Sequence, residues 1–322
     1  MAEHGGDLDK AISRFGGTRA DWIDLSTGIN PHAYSVPQIT AEHWQDLPDK
    51  NMSDALISAA QKAYQTDMPI LPMAGAQQAI QNYPLLLSPG TARLLHPSYN
   101  EHGLQLRRVG WNVEEKGTLL ELAGSDLAVI VNPNNPDGQK FAPADLLALS
   151  KKVGLLIVDE SFVDAHPTLS LCPHLTEAHR NILILRSFGK FYGLAGLRLG
   201  FAIGAGHLLK TLAAQQGSWA VSGPALAVGC AALADSGWAD MTRKQLAADA
   251  HRLDSLALQA GWRLYGGCDL FRLYEMDDAK HWQGRLAEHQ IWSRCFHHAP
   301  NWLRLGLPPI HGWSRLETAL KI

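Results

Sequence analysis

Residues 182–201 read ILILRSFGKFYGLAGLRLGF. The run Ile182–Leu185 is apolar throughout, the pattern of a buried strand, and it ends at Arg186-Ser187. A glycine-broken loop with Lys190 follows, then a second strand-like run from Leu197 to Ile203 that contains Arg198. The lysine stands three residues after Ser187 and eight before Arg198. An amine among small and aromatic neighbours suits imine formation with a carbonyl, here beside groups able to bind a phosphate. Pyridoxal phosphate presents an aldehyde and a phosphate on one molecule. Lysines after buried strands are also common as solvated helix starts, so Lys190 needs support from the rest of the chain. The S-x-x-K spacing opens another pattern, which requires S-D-N and K-T-G further on; neither occurs.

Outward from this stretch, apolar runs alternate with helical periodicity. Strands are expected at Ile70–Met73, Ala92–His96, near Arg107–Trp111, at Leu127–Val131 ahead of NPNNPDG, and at Leu155–Val158 ahead of Asp159-Glu160. Strands apolar on both faces and separated by helices imply a mostly parallel sheet sandwiched by helices, an α/β architecture. Beyond about residue 208 come alanine-rich helical stretches, Leu208–Ala234 and Trp238–Gln259. Strands at Arg263–Tyr265 and Leu270–Glu275, a helix near Ala279–His289 and a strand at Trp302–Leu305 then complete a smaller α+β domain. The expected division is an N-terminal segment, 1–35, a large α/β domain, 36–208, and a small C-terminal domain, 209–322.

The 322 residues are 46% hydrophobic and 18% charged, which supplies a large core and argues against disorder. A net charge of −3 with interleaved signs offers no nucleic-acid surface. Cys172, Cys230, Cys268 and Cys295 are widely spaced and form no C-x-x-C, the usage of free thiols in a reducing compartment. The opening MAEHGGDLDK lacks the apolar core of a signal peptide, and no run reaches the ~18 residues of a membrane helix. A cytoplasmic protein without membrane or nucleic-acid partners is expected. Cys295, His297 and His298 lack the paired spacing of a zinc site, so no metal is expected.

In open parallel sheets, ligands bind beyond the carboxyl ends of the strands, and Asn135, Asp159, Ser187 and Lys190 all follow such ends. Each suits a different part of pyridoxal phosphate. Asp159 is a carboxylate for the ring nitrogen, whose protonation makes the ring an electron sink. Asn135 is a donor for the ring hydroxyl. Arg198, Ser187 and the amides of Ala76 and Gln77 at a helix start suit the phosphate. Tyr99 or His102, in PSYNEH, offers a flat partner for the ring. Singly, each has an ordinary structural explanation as a cap, a turn or a surface charge; jointly and in this order they favour the cofactor.

VNPNNPDG, LIVDES and SFGKFYGLAGLRLGF resemble the cofactor motifs of fold-type I pyridoxal-phosphate enzymes, the aspartate aminotransferase superfamily. The resemblance runs from HGG to NWLRLGLP, and within the superfamily is nearest to the threonine-phosphate decarboxylases of cobalamin biosynthesis. His4-Gly5-Gly6, LSTGINP at 25–31 and RCFHHAPNWLRLGLP at 294–308 carry the narrower match. It implies that Lys190 anchors the cofactor covalently and that Asp159 pairs with the ring nitrogen. Arg304 would take the substrate carboxylate and Arg294 its phosphate, with His4 and Asn30 lining the pocket. The family commonly has threonine at the place of Asp137 and, in many members, tyrosine at the place of Phe162. Leu47 stands where relatives send a tyrosine to a neighbouring subunit. A homodimer acting on a small phosphorylated amino acid is expected. Aminotransfer from histidinol phosphate is the second reading, since it uses the same cofactor residues, and a non-catalytic binding module is the third.

Overall fold

The computed structural model describes residues 5–321. In chain order the strands are β1 (Ile23–Asp24), β2 (Ile70–Met73), β3 (Thr91–Leu95), β4 (Asn112–Lys116), β5 (Leu127–Val131), β6 (Leu155–Asp159) and β7 (Ile182–Ser187). They continue as β8 (Gly200–Gly204), β9 (Arg263–Cys268), β10 (Phe271–Glu275), β11 (Ile291–Trp292), β12 (Arg294–Phe296) and β13 (Ala299–Gly306). By contacts the described residues fall into two units, one drawn from 34–135 and 140–240, the other from 5–33, 136–139 and 241–321.

The first unit holds a seven-stranded sheet in the order β2-β8-β7-β6-β5-β3-β4. The run from β4 to β7 is parallel, and β8 pairs antiparallel with both β7 and β2. Every residue of β5 and β6 is buried, as is Ile182–Arg186 of β7. Strands covered on both faces have no polar side to alternate with, which is why their sequence reads as unbroken Leu, Ile and Val. Their core extends through Met73, Ile80, Tyr83 and Leu106 to Leu209 and Leu212.

In the second unit, β12-β13-β10-β9 form an antiparallel sheet, and β1 pairs in parallel with β11. Phe15, Trp22 and Trp292 meet ring to ring at 6.3–6.4 Å and seat the N-terminal helix Leu8–Phe15.

Several boundaries differ from the sequence reading. The strand expected near Arg107–Trp111 is β4, because the helix Glu101–Arg108 runs on and Gly110 turns the chain at φ +94°. The stretch Leu208–Ala234 is two helices, Gly206–Gln216 and Gly223–Ala234. Gly217 at φ +76° ends the first, and the Ser222 side chain caps the second by accepting from the Ala225 amide. The short strands β11 and β12 and the helix Trp313–Leu320 were not anticipated. Lys190 sits in a helical turn, Phe188–Phe191, rather than in a loop. Arg198 precedes β8 in the left-handed conformation, φ +56° and ψ +48°, rather than lying in a strand.

Candidate functional site

Asp159 ends β6 and is 2% exposed. Its Oδ2 accepts from His102 Nε2 at 2.9 Å, and its Oδ1 accepts from the Ser161 amide at 2.9 Å and from the Ser161 hydroxyl. Burial pushes this carboxyl up, but the hydrogen bond and charge of His102 and the bonds from Ser161 outweigh it and hold the group below its ordinary range. His102 Nδ1 in turn meets the Tyr83 hydroxyl at 3.0 Å. Both ring nitrogens of His102 therefore have protein partners. Tyr99 stands edge-on to His102 at 6.0 Å, and its hydroxyl reaches Gln77 Oε1 at 3.4 Å.

Four anion-binding groups gather at the start of the helix Ala76–Asn82. Ser187 is the register partner of Gly200 across β7 and β8. A Cβ at Gly200 would lie 2.4 Å from the Ala76 amide nitrogen, so only glycine lets these backbones approach so closely. Gly75, at φ +81°, is the N-cap, and a Cβ there would lie 2.6 Å from Arg198 Nη2. Ser187, Arg198 and the first amides of the helix, Ala76 and Gln77, are thus drawn together although far apart in sequence. Those amides have no intrahelical acceptor.

The Lys190 turn is held by aromatic stacking. Tyr192 lies between Phe188, at 4.3 Å and 8°, and Trp238, at 5.3 Å and 12°. Lys190 Nζ is 5.8 Å from the centre of the buried Phe162 ring. The loop after β5 is fixed by its other asparagines. Asn132 exchanges two bonds of 3.0 Å with the Phe141 backbone, and Asn134 donates to the Pro97 carbonyl at 2.8 Å. The Asn132 amide donates to the Asp159 carbonyl at 2.9 Å, which carries the loop and half-buried Asn135 to the end of β6. The donor set fits pyridoxal phosphate: a depressed carboxylate for a ring nitrogen, an amine, an amide, and a glycine-opened cradle of cation, hydroxyl and N–H groups for a phosphate.

The residues assigned to substrate lie in the other unit. Arg304 in β13 is 7% exposed, and its Nη2 donates to the Ser26 carbonyl at 2.6 Å. Arg294 in β12 is its direct cross-strand partner. Partners in an antiparallel pair share a face, so two guanidinium side chains leave the sheet side by side. Asn30 is 2% exposed, and its Oδ1 accepts from the His32 amide at 2.8 Å. His32 Nε2 meets Asp249 Oδ2 at 3.1 Å. His4 lies outside the described residues. The Gly5-Gly6 pair backs onto Ser26: a Cβ at Gly5 would fall 2.3 Å from its carbonyl oxygen, and the Gly6 amide donates to its hydroxyl at 2.7 Å.

The sequence reading missed Glu160, Asp164 and Arg186, a buried charge cluster behind the strand ends. Its signal was present: acidic Glu160 and basic Arg186 each sit one residue from a proposed cofactor group, at the ends of consecutive apolar strands.

Comparisons with known proteins bear on the family and the fold. The family model for aminotransferase class I and II matches residues 21–321. A threonine-phosphate decarboxylase of Sinorhizobium sp is 40% identical over 98% of this chain and 97% of its own. One of Pseudomonas aeruginosa is 42% identical over 99% of this chain and 97% of its own. Among solved structures, histidinol-phosphate aminotransferase from Sinorhizobium meliloti in complex with pyridoxal-5′-phosphate superposes with TM-score 0.83 at 18% identity, covering 99% of this chain and 94% of that one. Parallel sheet, cofactor motifs and near-full-length relatives lead to one statement: the chain belongs to the class I and II aminotransferase family.

Proposed function

We propose that the chain is a pyridoxal-phosphate-dependent carboxy-lyase that converts L-threonine O-3-phosphate to (R)-1-amino-2-propanol O-2-phosphate in cobalamin biosynthesis. The observation that carries this reading is the register of β12 on β13, which sets Arg294 directly opposite Arg304. Like charges so placed repel, and an anionic partner offsets the repulsion. A substrate with both a carboxylate and a phosphate supplies one anion to each arginine. Near-full-length relatives named threonine-phosphate decarboxylase support the same substrate.

Bound pyridoxal phosphate supplies an aldehyde for the substrate amine and a ring that takes up the electron pair of the broken bond. The chain's own residues do the rest. Lys190 Nζ would anchor the cofactor and, as a free amine, hold a proton for the substrate α-carbon. Asp159 would be the carboxylate partner of the ring nitrogen. Ser187, Arg198 and the amides of Ala76 and Gln77 would hold the cofactor phosphate, and Asn135 would donate to the ring hydroxyl. Tyr99 would supply the flat partner, since both ring nitrogens of His102 are engaged by Asp159 and Tyr83. Arg304 would bind the substrate carboxylate and Arg294 its phosphate, and so orient the substrate. Asn30, with His4, lines that pocket. The protein is expected to act in the cytoplasm as a homodimer.

The test is release of labelled carbon dioxide from carboxyl-labelled L-threonine O-3-phosphate. The proposal fails if none appears and the enzyme instead transfers the amine of histidinol phosphate to 2-oxoglutarate.

A further inference from the structure

Behind the strand ends that carry Asp159 and the Lys190 turn, on the opposite face of the sheet, lies a cluster of charges with no assigned task. Arg186 Nη1 donates to Glu160 Oε2 at 3.0 Å, and its Nη2 pairs with Asp164. Its guanidinium lies 4.0 Å from the centre of the Tyr64 ring. Glu160 Oε1 accepts from the Leu171 amide at 2.6 Å and Oε2 from the Ser170 hydroxyl at 2.8 Å. Glu160 is 0% exposed, Arg186 3% and Asp164 7%. Burial pushes the Glu160 carboxyl up, against the charge of Arg186 and three donors that hold it down.

The geometry ties this cluster to the front of the sheet. Asp159 and Leu185 are register partners, and the Glu160 amide continues the ladder by donating to the Leu185 carbonyl at 2.8 Å. Side chains alternate along a strand, so Asp159 and Ser187 project to one face and Glu160 and Arg186 to the other. The ion pair therefore cross-links the ends of β6 and β7, through the residue after Asp159 and the residue before Ser187. A desolvated ion cluster is a poor source of stability, because neutral side chains of similar volume do as well or better in its place. What such residues do better is hold a particular spacing.

We propose that Arg186, with Glu160 and Asp164, is a positioning cluster that sets the separation of Asp159 from the Lys190 turn without touching the cofactor. The inference rests on the roles given above to Asp159 and Lys190. Without the clamp, β6 and β7 still pair through their backbones, but their ends are free to shift. A misplacement of about 1 Å costs on the order of 10²-fold in rate.

The experiment compares the holoenzyme with the triple variant Arg186→Met/Glu160→Gln/Asp164→Asn, which removes all three charges together. The expected result is a folded protein of similar thermal midpoint whose bound pyridoxal phosphate loses at least half its visible circular dichroism. Its kcat should fall on the order of 10²-fold while KM changes little. Arg186→Lys, which keeps one charge within reach of Glu160, should recover part of both signals, and is informative even if the triple variant does not fold. Leu212→Ala, a truncation in the apolar core of the same unit and away from the charge cluster, should lower the thermal midpoint and leave the dichroism unchanged. An unaltered cofactor spectrum and kcat in the charge variants, beside a wild type that binds the cofactor at Lys190, would overturn the positioning role alone. A wild type that takes up no cofactor would overturn the functional reading and this one together.

Discussion

Asp159 keeps a charge in a place where burial opposes one, and that has a measurable signature. Its carboxyl is depressed in the fold relative to an unfolded chain, so the unfolded state binds the proton more readily. The sign follows: its stabilisation is fully present above the unfolded value near pH 4 and is lost as pH falls through the lower folded value. The thermal midpoint of the wild type should exceed that of Asp159→Asn at neutral pH, and the gap should narrow as pH falls below the ordinary carboxylate range. Lys190→Ala should lower carbon dioxide release by on the order of 10³-fold or more in steady-state assays. That protein should still bind the cofactor, held by Arg198 and Asp159. These residues were legible because a strand end followed by a charged or amide side chain is visible in the letters alone. The partners of His102 were not: Tyr83 precedes it by one helix and Asp159 ends the third strand after it, so their meeting is a product of packing. Arg198 was found as a residue but misplaced, since nothing in LAGLRLG marks the left-handed turn that brings its guanidinium to Gly75.

Elements explain which glycines are obligatory. In the second unit, a Cβ at Gly266 would lie 2.0 Å from the Asp137 carbonyl oxygen, and one at Gly138 would lie 2.2 Å from that of Gly267. The segment 136–139, quoted as one motif with Asn135, thus rests on β9 through bare backbone. Gly266→Ala should lower unfolding free energy by about 2–3 kcal/mol, read from the urea midpoint at unchanged slope. The register of β12 on β13 makes a second prediction. Arg304→Met removes a buried cation from the pair and should raise KM for the phosphorylated substrate on the order of 10²-fold, with a smaller change in kcat. The long apolar strands and helices could be read from periodicity. Strands β11 and β12, of two and three residues, could not, because so short a run carries no period, and the partner of β11 is β1, far away in the chain.

For the whole molecule, the residues proposed for the cofactor and those proposed for the substrate fall in different units, and the two sets were legible to different degrees. Asn135, Asp159, Ser187 and Lys190 stand at or just after the ends of apolar strands and announce themselves. Asn30 sits on irregular backbone, Arg294 on a strand of three residues and Arg304 inside a strand of eight, and only their resemblance to a family singled them out. The parallel pairing of Ile23 with Ile291 and Asp24 with Trp292 also bears on biosynthesis. The segment that carries Asn30 emerges from the ribosome about 260 residues ahead of the strand that β1 joins. Closing so long a loop is entropically costly and slow, whereas residues 34–240 make most of their contacts among themselves. A nascent chain arrested at residue 290 should therefore show a protease-resistant fragment containing Lys190, with residues 5–33 open to cleavage. Extension of the chain past β11 and its release should close that window, so the residues proposed for substrate are placed after those proposed for the cofactor.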